Sequence, residues 1–413
     1  MNRESKKIRN KRIRCAGAAC MLIVILLCGC EEQEITKTVP LSNETEEEAE
    51  GIDVKNIQEY IYEGNVIDIT WSEEAAGKLC LIKGLENRGI LQWVDVYQKT
   101  VSEEIVFEES MIGYVKTAPG GRFIAYEHEA EEFRELIVYE VESGEKEAVM
   151  TWNDWSTIYR MEWSDDGTKL LVWTDIEESG ENQDIGGERI MYCYDMESEE
   201  KLSSQVRIPV NGKMWRGMYP NEDASRVFID EEYYTEEYDW GEENTESENE
   251  ELEGDGEDYI SELKAKEKNW LVDMKTKEVR EVDIARTNIG IPIKYTKRGL
   301  FGIDEGKLWL AREPLGQVSG KRLLETKEED VCICENGDHI FLIEKEEGTG
   351  YLQVTGILLE DGEIKEYQVL YKGVDGNFEM LFFKTFIGKD DHELVICSIE
   401  HDLWHMNMKV LEY

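Results

Sequence analysis

Proline, histidine and positive charge are all scarce in this chain. Six prolines and five histidines occur in 413 residues, and 46 Lys and Arg stand against 92 Asp and Glu, a formal net charge of −46. So acidic a surface repels phosphate, which excludes nucleic acid and anionic lipid headgroups as partners drawn by electrostatics. The histidines are His128, His339, His392, His401 and His405. His401 and His405 are four apart, a spacing that would share a helical face, but the sequence around them is patterned as strand and no metal pair is expected. No G-x-S-x-G nucleophile elbow is present. The acidic run between 242 and 258 lacks the D-x-D-x-D-G spacing of a calcium loop. With so many carboxylates, two at the separation a glycosidase needs arise by chance, so their presence is no evidence for one. No catalytic residue, cofactor or metal site is therefore expected. Hydrophobic residues still make up 41% and aromatics 10%, more than a disordered acidic chain carries.

The one long apolar run lies at the N-terminus. Met1 to Arg14 holds seven basic residues and one acid, Ala16 to Cys28 is apolar, and Leu27-Cys28-Gly29-Cys30 precedes Glu31 and Glu32. A basic stretch, an apolar stretch too short to span a bilayer comfortably and small residues at its end are the order of a secretory signal. The ending resembles a bacterial lipobox, with Leu27 and Gly29 matching and Cys28 a departure. The resemblance implies cleavage after residue 29, lipidation of Cys30, a membrane partner reached through that anchor, and a place on the extracytoplasmic face of a bacterial cell membrane. The alternative is an uncleaved N-terminal anchor. The expected organisation is a signal peptide at 1–29, an acidic tether at 30–52 and a folded body at 53–413. Without residues 1–29 the formal charge becomes −52.

Five further cysteines remain in that body, Cys80, Cys193, Cys332, Cys334 and Cys397. Their odd number and wide spacing form no disulfide framework. Cys332 and Cys334 share one face of a strand without a His or second Cys pair at zinc-like spacing, so buried thiols between sheets are expected.

Beyond residue 50, short β-rich runs alternate with Gly, Asn and Asp turns to the end of the chain. Aligned on those turns, they repeat. One unit runs from Ile112 through Ala118-Pro-Gly-Gly-Arg-Phe-Ile-Ala-Tyr126 and Leu136 to Val141, and ends at Lys146 to Met150. The next runs from Arg160 through Trp163-Ser-Asp-Asp-Gly-Thr-Lys-Leu170 to Trp173, then Ile190 to Met196 and Lys201 to Val206. Four strands per unit mark an all-β fold, a β-propeller of four-stranded antiparallel blades. Seven blades fit best, with six as the alternative because the first and fifth units are weakly marked. Val410 to Tyr413 is short for a last strand, so Ile57 to Tyr62 is expected to complete the final sheet and close the ring. Trp163-Ser-Asp-Asp-Gly-Thr-Lys-Leu170 resembles the W-S-P-D-G-x-x-L signature of WD40-like repeats in TolB-type and prolyl-peptidase-type propellers, with Asp165 in place of Pro. Ala118-Pro119-Gly120-Gly121 keeps the Pro and loses the Trp and Asp. The signature is structural: Asp-Gly makes the tight turn and the Trp fills space against the adjoining blade. The same stretch approaches the sialidase Asp-box but places Gly167 directly after Asp166, so it is not that box.

One segment breaks the rhythm, an acidic insert at 231–268 that carries Tyr233, Tyr234, Tyr238 and Trp240 and joins the second and third strands of blade four. Such a loop shares a ring face with the connections between blades, including those that hold Trp152, Trp155 and Trp215. Two readings stand for this face. In one it docks an envelope protein, peptide or glycan on aromatic rings; in the other the insert is a solvated loop whose aromatics pack back on the ring. The functional expectation is a lipid-anchored, non-catalytic binding or scaffolding protein of the cell envelope. The alternative is an extracytoplasmic hydrolase or lyase acting on peptides or glycans, since fold does not dictate function.

Overall fold

In the computed structural model the described residues are 55–85, 88–130, 133–152, 158–174, 188–209, 214–235, 264–284, 289–317, 319–325, 331–334, 337–346, 351–374, 381–388, 393–399 and 405–413. They form seven antiparallel sheets. The chain is a seven-bladed β-propeller. The innermost strands are, in order, Val66–Trp71, Met111–Thr117, Ile158–Trp163, Met214–Pro220, Ile291–Thr296, Val331–Ile333 and Leu381–Ile387. Six blades then step outward in chain order. In blade 1 the outer strand is split, Thr100–Val101 pairing with Val94 and Asp95 while Ile105–Glu108 pairs with Gly89 to Leu91.

The apolar pattern explains the ring. Each sheet is covered on both faces, so a central strand reads as a continuous apolar run rather than an alternating one. In Lys169–Thr174 of blade 3, Leu170 and Val172 pack toward blade 2 while Leu171 and Trp173 pack toward blade 4. Leu79 and Leu81 face blade 7, and Cys80 and Ile82 face blade 2. Seven separate apolar clusters result, one for each blade interface. All five described cysteines are unbridged and buried, and burial pushes the Cys332 thiol up to about 12.

The last blade closes as expected. Leu381–Ile387, Glu393–Ile399 and His405–Glu412 are joined by Asn56–Glu63 as the outer strand. The ladder is continuous, from Asn56 opposite Glu412 to Glu63 opposite His405. Val410 to Tyr413 is thus no separate strand but the end of the third, which leaves the N-terminal segment as the fourth. Lys409 is almost fully buried and pairs with Glu59 at 2.8 Å across this seam, and Asn407 Nδ2 donates to the same carboxylate.

The turn signature does what its chemistry suggests. Asp166 Oδ1 accepts from Thr168 N at 3.0 Å, and Ser164 Oγ accepts from Lys169 N at 2.9 Å. Gly167 holds φ of 69°, and a Cβ there would lie 2.5 Å from the Pro119 carbonyl oxygen, so the turns of blades 2 and 3 touch through it. Trp163 stacks on Phe123 of blade 2 with ring centroids 6.0 Å apart and donates from Nε1 to the Lys116 carbonyl at 3.0 Å.

The insert is shorter than its sequence pattern suggests. Arg226–Thr235 and Lys264–Asp273 pair as far as Thr235 opposite Lys264, so residues 231–235 and 264–268 belong to the ladder of blade 4. The mixed Glu, Tyr and Lys composition there masks the strand period.

Candidate functional site

The innermost strands all run from the connections between blades toward the first turn of their own blade, so residues near their ends converge on the channel mouth at the turn face. A cavity of about 330 Å³ lies there, walled by the innermost strands of blades 1, 2, 3, 5, 6 and 7. Lys116, Lys294 and Lys384 line it, with Glu162 and Asp165 as the acids and Thr70, Thr117 and Thr385 as the hydroxyls. Three lysines in one cavity is unexpected in a chain where acids outnumber bases two to one.

Each lysine has an acidic partner on another blade. Lys384 of blade 7 approaches Asp68 Oδ1 of blade 1 at 2.8 Å and also donates to the Ile69 carbonyl at 2.7 Å. Asp68 Oδ2 accepts from Thr117 N of blade 2 at 2.7 Å, so this carboxylate ties three blades together. Burial opposes ionisation of Asp68, but Lys384, the Thr117 amide and Lys116 outweigh it and hold the group below the usual carboxylate range. Lys116 of blade 2 pairs with Glu162 Oε2 of blade 3 at 3.0 Å, and Arg160 Nε holds the other oxygen at 3.1 Å. Lys294 of blade 5 reaches the turn of blade 3, with Nζ 3.2 Å from Asp165 Oδ1. Asp165 N in turn donates to the Glu222 carbonyl of blade 4 at 3.1 Å.

In two of the three pairs the lysine is clearly the more exposed member, whereas Lys294 and Asp165 are nearly equal at 24% and 20%. Lys384 is 32% exposed and Asp68 9%, and Lys116 is 35% exposed against 18% for Glu162. Thr117 is buried, and its Oγ1 has no hydrogen-bond partner among the described residues. Among those residues no group of three His, Cys, Asp or Glu is placed to hold a metal ion.

The aromatic docking face reads differently from its sequence. Trp152 ends the outer strand of blade 2 and is buried in the cluster between blades 2 and 3, so its ring is core and offers no face to a partner. Trp215 stands opposite Glu231 in the ladder of blade 4, and Tyr233 and Tyr234 stand opposite Lys266 and Ala265. Trp155, Tyr238, Trp240 and Cys30 lie outside the described residues, as do the segments 1–29 and 30–52. The channel lysines escaped notice in the sequence, although Val115-Lys116-Thr117, Ile293-Lys294-Tyr295 and Phe383-Lys384-Thr385 share a signal. Each sets a lysine between an apolar and a β-preferring residue in the first strand of its unit.

No family model matches the chain, and no curated protein matches it. Solved structures do. The oligogalacturonate lyase of Vibrio parahaemolyticus is 12% identical, with a TM-score of 0.50 over 87% of this chain and 92% of its own. The β-propeller domain of the Trilobed protease from Pyrococcus furiosus is 12% identical, with a TM-score of 0.49 over 85% and 94%. TolB from Acinetobacter baumannii is 12% identical, with a TM-score of 0.32 over 75% and 55%. At such identities the likeness is one of fold alone.

Proposed function

We propose that this chain is a lipid-anchored binding protein on the extracytoplasmic face of a bacterial cell membrane, working through its propeller and without catalysis. The anchor rests on Leu27, Gly29 and Cys30. One observation supports binding over chemistry: the charged side chains in and directly behind the channel mouth are engaged with each other, the lysines each with an acid of another blade. Asp68 is fixed by three donors, Ile69 N, Thr117 N and Lys384 Nζ, and its lowered pKa suits a permanent charge, whereas a general base is poised nearer neutrality. Glu162 is likewise held on both oxygens. A preformed cavity whose polar groups are already oriented suits recognition of a ligand, which is how most small-ligand sites are built. The oligogalacturonate lyase that shares the fold does not transfer its reaction, since fold and chemistry are separable.

Anchorage is tested by expressing the full chain and its Cys30→Ala variant in a bacterial host, followed by detergent phase partitioning and intact mass. The wild type is expected to enter the detergent phase with a mass increased by diacylglycerol and fatty acid, and the variant to stay aqueous. Identical partitioning and an unmodified mass would overturn the anchor.

A further inference from the structure

We propose that the cavity at the turn-face mouth of the channel is a binding site for a small hydroxylated carboxylate, held by Lys116, Lys294 and Lys384 with Thr117 as a hydroxyl partner. The proposal rests on the binding reading above and adds the ligand class.

Three observations carry it. The first is charge placement. Lys116, Lys294 and Lys384 line the cavity against Glu162 and Asp165, so the lining carries one net positive charge inside a chain of net −46. The cationic ends are clearly the more exposed members in two of the three pairs. An ammonium group has three donors. Lys384 uses one on Asp68 and one on the Ile69 carbonyl, and a third remains for a ligand. The carboxylates would not repel an anion strongly, because each is already compensated by a cation at 3.2 Å or less.

The second observation is the buried Thr117 hydroxyl. A buried hydroxyl with no partner is costly, and Thr117 lines this cavity. A ligand oxygen is the kind of group that satisfies it. Thr70 and Thr385 also line the cavity, which suits a ligand that carries hydroxyl groups besides its carboxylate. The third observation is size. A volume of about 330 Å³ sits at the lower end of ligand clefts, roughly 300–1,000 Å³, so the ligand is a single small molecule and not a polymer segment.

The test uses the full-length chain in detergent micelles, with D-gluconate as the probe and sorbitol, which has hydroxyls but no carboxylate, as its neutral counterpart. Isothermal titration is expected to show one gluconate per chain and no heat with sorbitol. Lys294→Gln and, separately, Lys116→Gln should each weaken gluconate binding at least tenfold while the β-type circular dichroism spectrum is kept. Two variants are used so that the loss of one to misfolding leaves the other to decide. Thr117→Val should weaken binding less than the lysine variants do. Equal heats with sorbitol, no heat with gluconate into the millimolar range, or unchanged affinity in a folded lysine variant would each overturn the proposal. Saturable binding of inorganic phosphate with none of gluconate would overturn the carboxylate assignment. Because none of these readouts depends on Cys30, a negative result leaves the anchor intact, and loss of the anchor leaves a gluconate titration intact.

Discussion

Loss of Asp68 should be felt in three blades at once. Its carboxylate accepts from Lys384 Nζ at 2.8 Å, from Thr117 N at 2.7 Å and from its own Ile69 N at 2.9 Å, so blades 7, 1 and 2 meet on one side chain. Breaking a buried ion pair costs about 3–5 kcal/mol, because the remaining charge stays unpaired. Lys384 is about one-third exposed, so water screens part of that penalty and about 2–3 kcal/mol is the better figure. The Thr117 amide also loses its acceptor, adding about 1 kcal/mol or more. Asp68→Ala should therefore destabilise by roughly 3–4 kcal/mol. Asp68→Asn keeps the shape and one acceptor and should cost about half of that. Thermal unfolding followed by circular dichroism is the assay, extended to a double-mutant cycle with Lys384→Met. The pair is expected to couple, the double variant being more stable than the sum of the single losses by more than about 1 kcal/mol. Additive losses would refute the claim that the pair acts across the seam. The pH dependence has a definite sign. The pKa of Asp68 is lowered in the folded state, so its contribution is fully present above the unfolded value of about 3.9 and is lost as pH falls through the folded value below it. The gap between wild type and Asp68→Asn should narrow only in that acid range.

Other outcomes are equally checkable. Glu59→Ala removes the carboxylate that Lys409 Nζ and Asn407 Nδ2 share and should cost about 2–3 kcal/mol by urea unfolding, with removal of residues 1–64 abolishing the cooperative transition altogether. Gly167→Ala forces a Cβ to 2.5 Å from the Pro119 oxygen at positive φ and should cost about 1–3 kcal/mol, which a thermal melt measures. Burial opposes ionisation of Glu108, but Lys146, the Ser110 amide and the Tyr126 hydroxyl lower its pKa to about 2. Glu108→Gln should consequently lower the urea midpoint at pH 7 and lose that effect as pH falls from about 4 toward 2. Deleting Glu242 to Asp258, which lie outside the described residues, should leave the melting temperature nearly unchanged, since the entropy of closing a connection grows only slowly with its length; a drop as large as that of Glu59→Ala would give those residues a place in the fold.

The fold was legible where local chemistry forces it and obscure where only the closed ring creates it. Blade 3 announces itself because Asp166 and Gly167 build a tight turn that few other residues can make. Blade 4 makes the same turn with Asn221-Glu222-Asp223-Ala224: Asp223 Oδ1 accepts from Ser225 N at 3.1 Å, and Ala224 takes φ of 51° where a glycine is expected. The physics is kept and the letters change, so the repeat hides. The core strands were readable as apolar runs, and the closing strand as the piece the last sheet lacked. Trp152 misled because a tryptophan beside a polar connection reads as exposed, whereas the end of an outer strand is still covered by the next blade. The channel was illegible for a deeper reason. A lysine in a strand looks solvent-facing, and the acids that give Lys384 and Lys294 their meaning lie 316 and 129 residues away. The Lys384–Asp68 pair crosses the junction between the last blade and the first, and Asn56–Glu63 joins that last blade. The charge layout of the channel and the closure of the ring are thus one structural fact, present in neither segment alone.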